Sequence, residues 1–237
     1  MGIFDNAGVF TTYHARLRFR DRLMGGVPKD PKVIEAWIRT KAMITDTEEL
    51  QRMVFQTLIE MGADVTPDMS YEEMVTVSEQ VAAIKQSVGF KVGEQGLYLE
   101  SRVVKAMLKE VTNILYAGDR WGKTKKGPKS FVAERVFVNP DKIWLGVDDP
   151  TGVHLFVGHP SGPRGPQSNL TYYEYVERPE IEFDVIVAQD AVDDDHWPEM
   201  WQLGQENGLG ALRSQGFGRF DIEEWEQVDT RALRAIA

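Results

Sequence analysis

The chain has 237 residues, and its formal net charge of −10 argues against a surface coated with positive charge for nucleic acid. It contains no cysteine, which excludes disulfides and thiolate metal sites. No run of about 18 apolar residues occurs, and the first residues lack the basic and apolar regions of a secretion signal, so we expect a cytoplasmic protein without a membrane span.

The first half of the chain begins with a strand pattern. In residues 11–20, TTYHARLRFR, apolar side chains alternate with His14, Arg16, Arg18 and Arg20, which predicts a strand with one apolar and one basic face. Helices are predicted from about residues 31, 46, 68 and 100, the last running to about 116, with a glycine-rich interval at 89–96. We expect one domain over 1–237, with 41–95 as a helical insertion within it.

Strands predominate in the second half. Apolar segments between Gly and Pro predict strands at 131–138, 143–146, 153–157 and 171–176, with an exposed loop at 158–169. A strand at 181–188, a helix at 196–207, a last strand at 217–225 and a short helical tail at 229–237 follow. This order suits an α+β fold with a ferredoxin-like, RRM-like antiparallel sheet core.

The segment 208–220 joins that helix to the last strand. It reads GLGALRSQGFGRF, so four glycines and two arginines fall within thirteen residues. Glycine is unfavourable inside regular structure, so this density implies backbone geometry closed to other residues, or close approach of another molecule. A glycine loop with adjacent positive charge can hold an anion such as a phosphate.

A basic stretch lies at 100–136, where nine Lys or Arg stand against four Asp or Glu. Because the rest of the chain is strongly acidic, this asymmetry favours a specific basic face on an acidic body. A solvated, lysine-rich loop is the alternative interpretation.

Two segments resemble the RAMP superfamily, the repeat-associated proteins of CRISPR systems with Cas7-like and Cas6-like members. Residues 210–219, GALRSQGFGR, are similar to the C-terminal glycine-rich loop of that family. Residues 96–109, GLYLESRVVKAMLK, are similar to the segment that opens the first main helix of Cas7-like members, although the usual proline and glycine are missing. A divergent relative from a mobile element or phage fits the same resemblance.

The resemblance implies a non-catalytic subunit that binds single-stranded, crRNA-like RNA in a ribonucleoprotein assembly. Its other partners would be protein subunits or further copies of itself, with no membrane. Single strands are held by a positive groove with aromatic stacking platforms. The expected RNA-binding residues are Arg16, Arg18, Arg20, Lys105, Arg120, Trp121, Lys123, Lys125, Lys126, Lys129, Gly210, Arg213, Ser214, Gly216, Phe217, Gly218 and Arg219.

Several of these residues also have a purely structural interpretation. The strand arginines could meet phosphates or pair with the many carboxylates of this acidic chain. Trp121 could stack on a base or pack in the interior, and Phe217 could belong to the core of the last strand. The loop glycines could serve a ligand or only a tight turn.

No catalytic, metal or cofactor site is predicted. The four histidines show no metal-ligand spacing, and the acidic run at 193–195 is interpreted as helix capping. Two alternatives to RNA binding stay open. One is a structural or protein-interaction protein of viral or prophage origin that keeps the fold without RNA. The other is a metal-independent RNA endonuclease that uses His14.

Overall fold

The computed structural model describes residues 9–29, 47–60, 66, 69–70, 72–73, 87–121, 125–158, 161–162, 165–166, 169–188 and 192–228. The chain divides into two compact units. The first is formed by Met1–Leu23, Leu99–Leu145 and Glu177–Ala237, and the second by Met24–Tyr98 and Gly146–Val176. Both segments of the second unit therefore interrupt the sequence of the first.

The described residues form strands and α-helices with the following bounds. The strands are β1 (Phe10–Phe19), β2 (Arg22–Met24), β3 (Val27–Pro28), β4 (Ser87–Gly89), β5 (Lys91–Gly93), β6 (Gly96–Glu100), β7 (Val136–Asn139), β8 (Lys142–Trp144), β9 (Gly152–Gly158), β10 (Ser161–Gly162), β11 (Gly165–Pro166), β12 (Asn169–Glu177), β13 (Glu180–Ala188) and β14 (Phe220–Val228). The helices are α1 (Thr47–Glu60), α2 (Ser101–Leu115), α3 (Pro128–Arg135) and α4 (His196–Asn207).

The first unit contains a four-stranded sheet in the order β14–β1–β13–β7, with every neighbouring pair antiparallel. α2 contacts β7, α4 contacts β14, and the two helices contact each other. Along β1 the residues Tyr13, Ala15, Leu17 and Phe19 are buried, as period-two alternation requires of a strand covered on one face. The opposite face of the sheet carries the intervening polar residues.

Aromatic rings fill the space between the sheet and α4. Trp197 is 1% exposed, and its ring centroid lies 5.8 Å from that of Tyr13 and 4.9 Å from that of Trp225. The Tyr13 hydroxyl donates to Asp194 Oδ1 at 2.6 Å. Burial and this hydrogen bond raise the pKa of Tyr13 to about 12, so the phenol stays neutral.

The second unit contains a sheet in which β12 pairs antiparallel with β9 and parallel with β4, and β4 pairs with β3. β5 and β6 form an antiparallel hairpin. A half-buried ion pair ties the end of β3 to β12, since Lys29 Nζ lies 2.6 Å from Glu174 Oε1. Glu174 also accepts the backbone N–H of Phe90 at 3.3 Å, so both of its oxygens are used.

The predicted α+β class is confirmed by these sheets and helices. The predicted strand at 11–20 corresponds to β1. The predicted helix that begins at 46 corresponds to α1, the predicted helix at 100–116 corresponds to α2, and the predicted helix at 196–207 corresponds to α4. The strands at 143–146, 153–157, 171–176 and 181–188 correspond to β8, β9, β12 and β13. The helix from 31, most of the helix from 68 and the tail at 229–237 lie outside the described residues.

The predicted strand at 131–138 is wrong over its first five residues, which belong to α3. Pro128 occupies the first turn of α3, where a backbone N–H would make no hydrogen bond within the helix, so proline is tolerated there. Phe131 and Val132 of this helix are buried. The last strand, β14, begins at Phe220 rather than at the predicted residue 217. The glycine-rich interval at 89–96 contains strand residues, and the strand β4 already begins at Ser87. The glycines of that interval allow a tight hairpin.

Candidate nucleic-acid interface

The open face of the central sheet carries a basic row between two acidic rows. β1 supplies His14, Arg16 and Arg18, each directly opposite a carboxylate residue on both neighbouring strands. The two neighbouring strands present seven carboxylates, which are Glu180, Glu182 and Asp184 on β13 and Asp221, Glu223, Glu224 and Glu226 on β14.

The strand arginines pair with these carboxylates. Arg18 Nη2 lies 2.7 Å from Glu223 Oε1, and Arg16 Nη2 lies 3.4 Å from Glu224 Oε2. The β1–β14 register shifts after Arg16, so Glu223 is an extra residue in a bulge that also places it 3.8 Å from Arg16 Nε. Of the two interpretations of this face, the structure shows carboxylate pairing.

A groove of about 600 Å³ opens on this face beside His14. His14 Nδ1 lies 3.1 Å from Asp184 Oδ1, and Glu182, Glu224 and Glu226 also line the groove. A phosphate placed here would meet more negative than positive charge and would be repelled. The part of the open face around His14 and the β1 arginines is therefore unsuited to a nucleic-acid backbone.

Two glycines of the loop after α4 are required by the fold. Gly208 ends α4 with φ +72°, and Gly218 has φ +75°. Leu209 N–H donates to the Gly218 carbonyl at 2.9 Å, and a β-carbon at Gly218 would overlap the Leu209 carbonyl oxygen. Space and dihedral angle together exclude any side chain at Gly218.

The other two loop glycines also have positive φ angles, and Gly216 has open space around it. Gly210 and Gly216 have φ +81° and +89°, and a β-carbon at Gly216 would meet nothing within 4 Å. The Gly216 N–H donates to the Arg213 carbonyl, and the Gln215 N–H donates to the Leu212 carbonyl, both at 2.9 Å. These two donors are used by the loop itself and are not available to an anion.

Both loop arginines are ion-paired. Arg213 Nη1 lies 2.7 Å from Glu110 Oε2 on α2, and Arg219 Nε lies 3.7 Å from Glu206 Oε2 on α4. Arg20 Nη1 lies 2.6 Å from Glu206 Oε1, and its hydrogen bond holds the pKa of Glu206 below the usual value. Ser214 is exposed, and Phe217 is half-buried.

Trp121 packs among other rings at the opposite end of α4. Its ring centroid lies 5.2 Å from that of Tyr116, 4.9 Å from that of His196 and 6.3 Å from that of Phe131. His196 is the first residue of α4, whereas the glycine loop follows the last residue. The Trp121 segment and the glycine loop are therefore separated by the length of a 12-residue helix, about 18 Å.

Some of the predicted cations make no ion pair with a carboxylate in the described part of the chain. Lys126 does pair, because its Nζ lies 2.7 Å from Glu134 Oε1, and Lys123 lies outside the described residues. The cations of α2, α3 and the segment between them without such a pair are Lys105, Lys109, Arg120, Lys125, Lys129 and Arg135.

An exposed aromatic pair lies beside the first of these lysines, Lys105. Lys105 Nζ is 5.0 Å from the centroid of the Phe137 ring, and that ring meets Phe10 edge to face at 6.3 Å. Phe10 is 53% exposed and Phe137 is 43% exposed. Burial, followed by the charge of Lys109, lowers the pKa of Lys105.

Sequence analysis missed this pair, although β7 carried a signal for it. Val136, Phe137 and Val138 are consecutive apolar residues, and in a strand successive side chains point to opposite faces. Val136 and Val138 are buried, so Phe137 necessarily points to the other side. Phe10 was missed because it lies one residue before the predicted start of β1.

Comparison with known proteins gives a distant structural likeness. No protein-family model and no curated protein matches the chain. Among solved structures, the chain is similar to a subunit in the cryo-EM structure of the Type III-B Cmr-beta bound to cognate target RNA, with 12% sequence identity and a TM-score of 0.47. The alignment covers 94% of this chain and 62% of that one, so this chain spans less than two thirds of that subunit.

None of the described helices combines the length and the hydropathy that crossing a membrane requires. No group of three or more His, Asp or Glu side chains in the described ranges is arranged to hold a metal ion.

Proposed function

We propose that this protein binds single-stranded RNA as a non-catalytic subunit of a cytoplasmic ribonucleoprotein assembly, with the strand lying along α2 and α3. The observation that carries the proposal is the exposed pair Phe10 and Phe137 beside Lys105, which lies one helical turn from Lys109 on α2. Proteins hold single strands through cations that follow the backbone and aromatic rings on which bases stack. This edge of the first unit offers both on one surface.

The charge distribution supports the same surface. Lys105 and Lys109 are four residues apart on α2, so they lie on one helical face and repel each other. A phosphate between them would remove that repulsion. At Arg16, Arg18 and Arg213, in contrast, a phosphate would have to displace a carboxylate that is already in place.

The order of the elements supports a ferredoxin-like core of the RAMP type, which we also propose. Taken in chain order, β1, β7, β13 and β14 are the four strands of the sheet, and β1 lies between β14 and β13. α2 follows β1 and α4 precedes β14, which gives the β-α-β-β-α-β order of that motif. Residues 41–95 would then belong to an insertion in a single RAMP-like domain.

We expect the wild-type protein to bind a short fluorescein-labelled oligouridine at low salt, and Lys105→Ala/Lys109→Ala to bind it more weakly. Each phosphate contact contributes about 0.7 to the slope of log K against log salt concentration, so two lost contacts lower the slope by about 1.4. Phe137→Ala should lose about 1–3 kcal/mol of binding free energy through one lost base stack. Fluorescence anisotropy over a salt series measures both effects.

The matched control is Arg16→Ala/Arg18→Ala, which removes the same charge from the open sheet face. We expect its affinity to equal that of the wild type, because these arginines are occupied by carboxylates. Equal losses of RNA affinity in the two double variants would place the RNA-binding site elsewhere than at Lys105 and Lys109. If the wild type shows no salt-sensitive binding, the RNA proposal is refuted.

The acidic sheet face favours a second candidate, a protein-interaction protein that does not bind RNA. Its seven carboxylates and its groove would attract a basic protein surface and repel nucleic acid. The ratio of nucleic-acid absorbance to protein absorbance of the freshly purified protein separates the two candidates. A ratio typical of pure protein, together with a protein partner that co-purifies, would favour the second.

A further inference from the structure

A row of exposed aliphatic side chains runs along β9 in the second unit. Val153, Leu155 and Val157 alternate along the strand and are 59%, 47% and 45% exposed. Leu170 lies opposite Val157 on β12, is 47% exposed and extends the row. Natural sheets use Lys or Pro to protect an edge strand from pairing with another chain, and β9 contains neither residue. Among the described strands, β12 is the one that pairs with β9.

The residues of β9 are arranged almost symmetrically about Leu155. The strand reads GVHLFVG, with a glycine at each end, a valine inside each glycine and the leucine at the centre. If two copies pair antiparallel with Leu155 opposite Leu155, each Val153 lies opposite Val157 of the other copy. Every cross-strand pair in the exposed row then joins two aliphatic side chains, which stabilises sheets. The strand is therefore complementary to itself.

Charge also favours contact between two copies at this strand. Each chain carries a formal charge of −10, so two copies repel on most surfaces. β9 has no Lys, Arg, Asp or Glu, and like charges directly opposite each other would destabilise a strand pair. The carboxylate opposite Val153 on β12, that of Glu174, is already paired with Lys29 at 2.6 Å.

We propose that the protein forms a two-fold homodimer in which β9 pairs antiparallel with the β9 of a second copy, with Leu155 at the two-fold axis. Such an interface is isologous, as closed dimers require. A pairing of seven residues is small, below the roughly 1,200 Å² of standard stable interfaces, so the dimer is concentration-dependent. The inference does not depend on RNA binding, because the proposed RNA surface lies in the first unit.

Cysteine substitution tests the register directly, because the chain has no cysteine of its own. Leu155→Cys places two thiols opposite each other at the axis, where strand spacing lets them approach disulfide geometry. We expect treatment with oxidised glutathione to convert this variant into a covalent dimer on a non-reducing gel. Val153→Cys is the matched control, since two such thiols would lie about 13 Å apart and would not join. Combining Val153→Cys with Val157→Cys restores the cross-link.

Sedimentation of the unmodified protein completes the test. We expect a concentration-dependent dimer for the wild type and for Ile114→Lys, a matched change at an exposed apolar residue of α2. Leu155→Lys should remain monomeric, because it places two ammonium groups opposite each other. A wild type that is monomeric at every concentration overturns the proposal, and so does equal cross-linking of Leu155→Cys and Val153→Cys. Circular dichroism of each variant verifies that it is folded.

Discussion

Gly218→Ala should destabilise the protein by about 3 kcal/mol or more in the free energy of unfolding. A left-handed dihedral costs a residue with a side chain roughly 1–2 kcal/mol, and forcing a methyl group into packed backbone costs about 1–3 kcal/mol. The obstacle is the carbonyl of Leu209, a backbone group held by its neighbours, so it cannot move aside as a flexible side chain could. Urea denaturation followed by circular dichroism measures the loss.

Gly216→Ala is the matched control within the same loop. Gly216 also has a positive φ, +89°, but a β-carbon there would meet open space. We therefore expect about 1 kcal/mol of destabilisation from the dihedral alone. If both variants lose the same stability, the contact between Gly218 and Leu209 is not what fixes this loop. A loss of RNA affinity in Gly216→Ala without a loss of stability would assign that glycine to the ligand.

Trp197→Ala is expected to lower the free energy of unfolding by about 3–5 kcal/mol, the range for removing a large aromatic side chain from a core. Trp197 is 1% exposed and links the rings of Tyr13 on β1 and Trp225 on β14. Removing it opens a cavity between α4 and the strands β1 and β14. Thermal denaturation and the loss of buried tryptophan fluorescence report the change.

Trp197→Phe distinguishes ring packing from hydrogen bonding at this position. The indole Nε1 of Trp197 is buried and has no hydrogen-bond partner among the described residues. Phenylalanine keeps most of the ring contact and removes an unsatisfied donor, so we expect a clearly smaller loss than for alanine. Equal losses for the two substitutions would contradict the packing explanation.

Elements whose pattern is complete within one segment were predictable from sequence. β1 and α4 were placed to within a residue, because alternation in one and helical spacing in the other are local properties. α3 was missed because its eight residues include Pro128 and two adjacent apolar residues, which also suit a strand. The strand order could not be derived, since the partners of β1 are far away in sequence.

The candidate site was less predictable than the fold. The basic face of β1 was identified, but its neutralisation depends on Glu223, which a bulge in β14 brings to Arg16 and Arg18. Composition cannot reveal a bulge. The Phe10–Phe137 pair joins residues on two strands that are not even neighbours in the sheet. Which predicted cations lack a carboxylate likewise depends on tertiary packing.

The position of β1 at the centre of its sheet has a consequence for synthesis on the ribosome. His14 meets Asp184 across 170 residues of chain, and Arg20 meets Asp221 across 201 residues. During synthesis β1 therefore waits for about 170 further residues before β13 can pair with it, and such non-local pairing folds slowly. A nascent chain that stops before β14 exposes one edge of β1, an unpaired strand that invites aggregation. Premature termination should thus yield insoluble fragments rather than a smaller working protein.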